Sequence, residues 1–172
     1  MISCPFCGTE NLQGADICDD CQHSLTDLSI PVPSTAVEKG LLKDRIELLT
    51  PKKPETVSLG TTVGEVLQKM VDKSIGCVIV VEGEQLRGIF TERDALTRLG
   101  AEVGTMLDRP IESLMTPDPI TLNARDKIAF ALHKMHVGGY RHVPIFADEK
   151  LVGVISIRDI LNYFTDRIGV SA

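Results

Sequence analysis

Apolar and polar positions along the chain fall into helix and strand periods, and the same order of periods occurs twice. Val63, Val66, Leu67 and Met70 stand at i, i+3, i+4 and i+7, which is one stripe of a helix. Thr62-x-x-Glu65 supplies a capping box at its start. Cys77–Val81 is a short apolar run suited to a buried strand. A turn follows at Glu82–Gln85, then a second strand over Leu86–Thr91. A helix begins near Thr91 and stops at Gly100, a suitable C-cap. Further on, Ile128, Ala131, Leu132 and Met135 repeat the stripe, and Asn123-x-x-Asp126 is placed to start that helix. Val143–Phe146 and Leu151–Ser156 read as strands, and about Arg158–Arg167 as the closing helix. With a short strand at Thr56–Leu59, each copy is β-α-β-β-α, and the fold class is α+β.

The two copies are related by a shift of 65 residues. Segment 46–96 lies on segment 111–161 without a gap, and 15 of the 51 positions are identical, among them Leu67/Leu132, Met70/Met135, Gly88/Gly153, Arg93/Arg158 and Asp94/Asp159. Two copies are too few for a solenoid. Each has half a sheet and two helices, so the pair is expected to bury its open sheet faces together about a pseudo-twofold axis. Ahead of them, residues 36–49 offer a short, weakly periodic helix. Residues 26–37, with Pro31 and Pro33, read as a boundary that no helix crosses. The division expected is 1–25, 26–45 (linker and lead-in helix), 46–105 and 106–172.

Residues 1–25 are organised by chemistry. Cys4-Pro-Phe-Cys7 and Cys18-Asp-Asp-Cys21 are two CxxC pairs ten residues apart. Two residues between thiolates let both sulfurs reach one ion from a tight turn, and two such knuckles supply four tetrahedral sulfur ligands. Gly8 follows the first pair, where positive φ is often required. Structural zinc is the leading reading; iron in a rubredoxin-like site and a disulfide pair are the alternatives. His23 is read as a surface histidine, because four thiolates already fill the shell. The site is closed, which argues against metal catalysis. So short a segment cannot bury a useful core, and the ion is expected to supply its folding energy. It is similar to short zinc ribbons.

Composition narrows the function classes. With 43% hydrophobic and 24% charged residues, the chain has the make-up of a globular protein. Wholly apolar runs stay as short as Cys77–Val81, far from the roughly 20 residues of a membrane span. The first residues show no basic start followed by an apolar stretch, so no secretory signal, a cytoplasmic location and reduced thiols are expected. Residues 1–30 contain Glu10, Asp16, Asp19, Asp20 and Asp27 and no Lys or Arg. An acidic segment repels phosphate backbones, which argues against nucleic acid as its partner. The absence of Trp and only 4% aromatic residues weaken base stacking.

Gly88-Ile-Phe-Thr91-x-x-Asp94 and Gly153-Val-Ile-Ser156-x-x-Asp159 resemble the signature of CBS domains, and Tyr140-Arg-His-Val-Pro-Ile145 is similar to a strand motif of that family. The resemblance covers about residues 46–168. It implies a tandem pair, or Bateman module, that binds an adenosine-containing ligand (AMP, ADP, ATP or sometimes S-adenosylmethionine) and regulates a partner protein. The chemistry agrees. An aspartate at a helix start can accept both ribose hydroxyls, and the N–H groups of that turn favour anions. Arginine brings a planar fork to phosphate oxygens.

By that resemblance, one cleft combines Thr91, Arg93 and Asp94 with Thr121, Tyr140, Arg141 and His142. The other combines Ser156, Arg158 and Asp159 with Thr56, Ile75 and Gly76. Where the second copy has Arg141-His142, the first has Gly76-Cys77, which removes a cation. The Asp94 cleft is therefore expected to prefer more phosphate charge. The plainer alternative for Asp94 and Asp159 is a helix-start carboxylate, stabilising by about 0.3–1 kcal/mol.

Cys77 and the helical Met residues read as core, and His133 and His136 as facing solvent or a dimer partner. The resemblance also implies a homodimer through the second helices, with Leu96, Leu99, Met106, Leu161 and Phe164 as candidates. No Ser-His-Asp order, lysine phosphate loop or open metal site speaks for an enzyme. The reading is a regulatory adenosine-ligand sensor acting in trans. The alternative is a nucleic-acid-binding regulator that uses the ribbon.

Overall fold

The computed structural model describes residues 1–12, 15–25, 35–100 and 103–168. The proposed boundary at Pro31 and Pro33 lies outside them. The strands are β1 (Ile2–Ser3), β2 (Glu10–Asn11), β3 (Thr56–Ser58), β4 (Cys77–Glu82), β5 (Gln85–Thr91), β6 (Thr116–Pro117), β7 (Leu122–Asn123), β8 (His142–Ala147) and β9 (Lys150–Ser156). The helices are α1 (Ala36–Lys43), α2 (Val63–Asp72), α3 (Glu92–Asp94), α4 (Val103–Met106), α5 (Ile128–Gly138) and α6 (Ile157–Ile168). The 65-residue shift carries β4 onto β8 and β5 onto β9 end for end, and the start of α2 onto that of α5.

The chain forms two compact units. One contains residues 52–121 and 142–155. Its sheet runs β3-β4-β5-β6, with β3 parallel to β4 and the other pairs antiparallel. Alternation along β4 explains why its sequence is apolar without a break. Val78 and Val80 join Phe90, Val63, Val66, Met70 and Ile111 in a core beneath α2. Ile79, from the opposite face, packs with Ile89 and with Val154 of β9. A strand buried on both faces has no polar positions to alternate with. Ile89 and Val154 are equivalent residues of the two copies, so the open sheet faces meet as their half-cores require. Full burial of each Val or Ile is worth roughly 1.5–3 kcal/mol. Both hairpins close in two residues, Gly83-Glu84 and Asp148-Glu149, with positive φ at Gly83, Asp148 and Glu149.

The other unit contains residues 1–51, 122–141 and 156–172. Here α1, α5 and α6 pack together. The helix expected over 36–49 is interrupted. Thr35 and Glu38 form a capping box at its start, but it ends at Asp44, whose backbone is extended, and a 3-10 turn over Ile46–Leu49 follows. The break is tertiary. Ile128 N–H donates to the Asp44 carbonyl (3.0 Å), Ile46 N–H to Asp126 (2.9 Å) and Glu47 N–H to Ala124 (2.9 Å). Tyr163 donates to the Asp44 carboxylate at 2.7 Å, and Arg167 pairs with it as well.

Asn123 and Asp126 do not start α5 as the sequence suggested. Their bonds close a turn, with Asn123 N–H to Asp126 Oδ2 at 2.7 Å and Arg125 N–H to Asn123 Oδ1 at 2.9 Å. The N-cap is Lys127, which answers to Thr62 but has no acceptor to offer. Among the dimer-face candidates, Leu99 is buried and Met106 packs against the core under α2. Leu96 and Leu161 are exposed. The chain after Asp94 winds as a π-helical turn over Ala95–Leu99, and its i→i+5 bonding, with more residues per turn, departs from the helical spacing assumed for that face.

Candidate functional site

The ligand atoms of Cys4, Cys7, Cys18 and Cys21 all lie within 4.8 Å of one another. Cys4 and Cys21 sulfurs are 3.6 Å apart, and those of Cys7 and Cys18 3.5 Å. Ligands of a tetrahedral zinc at about 2.3 Å would stand roughly 3.8 Å from each other, so the four thiols fit such an ion. The knuckles are built alike. Gly8 N–H donates to the Cys4 carbonyl and Gln22 N–H to the Cys18 carbonyl, each at 2.9 Å. Gly8 and Gln22, the residues after each pair, both have positive φ (82° and 56°). Burial pushes the Cys21 and Cys7 thiols upward. Cys18 goes the other way. Burial would raise it, but the backbone N–H groups of Cys21 and Asp20 and the Asn11 amide bring it to about 6. Asn11, which the sequence reading did not single out, is fully buried. It donates to Cys18 Sγ (3.5 Å) and to the Thr9 carbonyl (2.8 Å), and accepts from Asp19 N–H (2.9 Å). It supports the ligands from behind. No local signal marks it.

His23 is not a member of the cluster. Nor is it a simple surface residue, because it is half-buried against Phe6, and burial lowers its pKa. His133 likewise does not face open solvent: its ring meets those of Phe6 and His23.

The second candidate is the pair of strand-to-helix turns. β5 runs into α3 at Thr91, which forms a capping box with Asp94. Asp94 N–H donates to Thr91 Oγ1 at 3.2 Å. Thr91 N–H and Oγ1 donate to Asp94 Oδ2 at 3.0 and 2.6 Å. The other carboxylate oxygen accepts from Thr116 Oγ1 (3.3 Å) and pairs with Arg98 (3.2 Å). Arg98 also holds the carbonyls of Leu114 (2.8 Å) and Met115 (2.6 Å). β9 runs into α6 in the same manner, with Ser156 N–H and Oγ donating to Asp159 Oδ2 at 2.6 and 2.7 Å. The match extends to the preceding strand. Glu92 N–H donates to the Gly76 carbonyl (3.0 Å), and Ile157 N–H to the Arg141 carbonyl (2.9 Å). In both copies the residue before the first hairpin strand is thus tied to the start of the second helix.

Thr91, Asp94, Gly76 and His142 gather in one unit. A Cβ on Gly76 would stand 2.8 Å from His142 Nε2 and 3.3 Å from a Glu92 carboxylate oxygen, so glycine leaves room for both. Burial, and then the Glu92 charge, push the neighbouring Cys77 thiol up to about 12, which keeps it protonated and inert. Ile75 turns to the core under α2 instead of standing open. Thr56 in β3, Thr121 and Arg93 are exposed. In the other unit Ser156 and Asp159 share their turn, while Tyr140, Arg141 and Arg158 are exposed. Glu92, Arg98 and Thr116 are additions to the expected set. Arg98 was legible as an i,i+4 partner of Asp94; the other two come from tertiary contact.

A family model described as the CBS domain matches residues 46–101 and 111–166. A CBS domain-containing protein of Arabidopsis thaliana, CBSCBSPB1, is 33% identical over 138 residues, covering 76% of this chain and 25% of that one. The chain thus spans about a quarter of that relative's length. Among solved structures, a CBS-domain-containing protein of Agrobacterium tumefaciens is 26% identical with a TM-score of 0.65, over 69% of this chain and 97% of that one. The CBS domain protein of Pyrobaculum aerophilum complexed with AMP is also 26% identical, with a TM-score of 0.60, over 70% and 98%. Among the described residues no helix is long and apolar enough to cross a membrane.

Proposed function

The chain belongs to the CBS-domain family, and we propose that its paired repeats bind an adenosine-containing ligand of the AMP, ADP or ATP type and relay its presence in trans to a partner protein, with no chemistry of their own. The observation that carries this reading is the doubled turn, in which hydroxyl, aspartate and preceding strand residue recur at one offset with the same hydrogen bonds. The relative from Pyrobaculum aerophilum complexed with AMP supports the choice of ligand class.

The proposed contacts are Thr91, Arg93 and Asp94 with Thr121, Tyr140, Arg141 and His142, and Ser156, Arg158 and Asp159 with Thr56, Ile75 and Gly76. The aspartates take the ribose diol, the turn N–H groups and arginines the phosphates. The Arg141-His142 pair of the second copy, against Gly76-Cys77 in the first, supports giving the more highly phosphorylated ligand to the set that holds Arg141. Asp94 already accepts from four donors, about the capacity of a carboxylate, so a diol enters there by displacing Thr116 or Arg98. The proposed domain division is 1–25, 26–45, 46–105 and 106–172. Zinc on the four cysteines is structural in this reading. The proposed setting is cytoplasmic, with a homodimer through the exposed Leu96 and Leu161.

Thermal unfolding of the metal-loaded protein with millimolar AMP, ADP, ATP, S-adenosylmethionine and GTP tests the proposal. A ligand at 100 times its Kd adds about 2.7 kcal/mol, which raises Tm by roughly 5–10 °C for a chain of this size. An adenosine ligand should do this and GTP should not. No shift with any of them would overturn the reading.

A further inference from the structure

The ribbon does not stand clear of the second repeat. Phe6, between Cys4 and Cys7, has its ring centroid 3.3 Å from that of His23 and 5.6 Å from that of His133 on α5, and the two imidazoles meet edge-on at 5.0 Å. Lys127, the N-cap of α5, brings Nζ within 3.9 Å of where a Gly8 Cβ would stand. Burial raises the Asp126 carboxyl, and the charge of Asp20 in the second knuckle raises it further, so that knuckle also lies near the helix start. Ile128, Ala129, Phe130 and Ala131 are all buried. Four consecutive buried positions exceed one stripe, so the first turns of α5 are covered on more than one side.

The ribbon has almost no core of its own. Its buried hydrophobic residues among those described are Cys4, Cys18, Cys21 and Leu25, and three of these are candidate ligands. Its fold therefore rests on the ion. Phe6 lies in the loop between two ligands, so the ion also sets its position.

We infer that the cysteine knuckle is a metal-dependent docking element for α5: metal on the four thiols fixes Phe6 and His23 against His133 and thereby orders the first helix of the second repeat. Coupling of this kind is reciprocal, so stabilising α5 tightens the metal. The inference goes beyond the nucleotide reading and does not depend on it.

Amide hydrogen exchange on the whole protein, with metal and after chelation, is the test. Chelation should speed exchange over α5 by about tenfold or more while changing α2, in the other unit, by less than about twofold. Phe6→Ala with cobalt in the cysteine site should free α5 in the same way, the thiolate-to-cobalt absorption showing that the ion is still held. His133→Ala leaves the ribbon sequence intact and should also raise α5 exchange. Unchanged α5 protection after chelation would overturn the inference. So would an equal rise in α2 and α5, or full α5 protection in cobalt-loaded Phe6→Ala.

Discussion

The two strand-to-helix turns carry the same kind of hydroxyl and the same aspartate, yet they are anchored to different parts of the chain. In the first copy Thr116 and Arg98 clamp the free side of Asp94, and Arg98 reaches on to the Leu114 and Met115 carbonyls. The residue equivalent to Arg98 is Tyr163. It donates instead to Asp44, ahead of both repeats, where Arg167 joins it and lies over its ring at 4.9 Å. The first turn is secured to the opening residues of the second repeat, and the helix after the second turn is secured to the lead-in segment. A capping box is complete within four residues and is copied with them. An anchor drawn from elsewhere in the chain is not.

The largest expected difference lies under the turns. Phe90 and Ile155 are equivalent, fully buried residues just before Thr91 and Ser156. Phe90→Ala should cost about 3–5 kcal/mol and Ile155→Ala about 2–5 kcal/mol. Chemical denaturation would measure both, and a smaller loss for Phe90→Ala would break the picture of a heavier core beneath the first turn. Next come the caps. Asp94→Ala should lower stability by about 1–2 kcal/mol, because it removes the reciprocal half of the Thr91 capping box and the carboxylate that Arg98 and Thr116 share. An unchanged denaturation midpoint would mean that neither contributes.

Arg98→Ala should cost about 1 kcal/mol and, by leaving only Thr116 on Asp94 Oδ1, tighten adenosine-ligand binding. Weaker binding in that variant would show Arg98 to be a ligand contact and not a clamp. The smallest effect belongs to Tyr163→Phe, about 0.5–1.5 kcal/mol at neutral pH. Burial, and then the Asp44 acceptor, hold the Tyr163 phenol up to about 12, against 10.0 ordinarily. The folded state therefore favours the neutral phenol. This contribution is complete below about pH 10 and is lost as pH rises through about 12. Alkaline unfolding of Tyr163→Phe should lack that component, and identical profiles between pH 9 and 12 would remove Tyr163 from the account.

The sequence was most readable where structure is local. The stripes, the hairpins and the Thr62–Glu65 cap all follow from neighbours within a few residues, and the 65-residue shift placed the second set from the first. The N-cap of α5 is Lys127, the equivalent of Thr62, while the local Asn123-x-x-Asp126 pattern pointed four residues earlier, because those side chains close a turn instead. Reading failed where distant groups decide. Asp44 ends α1 because Ile128, Tyr163 and Arg167 take up its polar groups. His133 turned out to face Phe6 because the ribbon returns to α5, which no helical period can signal. The four cysteines were legible as one site because the knuckle is local; Asn11 behind them was not.

The central claim is that the doubled turn is a binding site for an adenosine ligand. Calorimetric titration of AMP and ATP into the metal-loaded protein and into the Asp94→Ala/Asp159→Ala variant tests it most directly. The account predicts saturable binding to the original chain and at least a tenfold loss of affinity in the variant, whose fold circular dichroism would confirm. Binding of undiminished affinity in the folded variant, or no binding to the original chain at millimolar ligand, would contradict it.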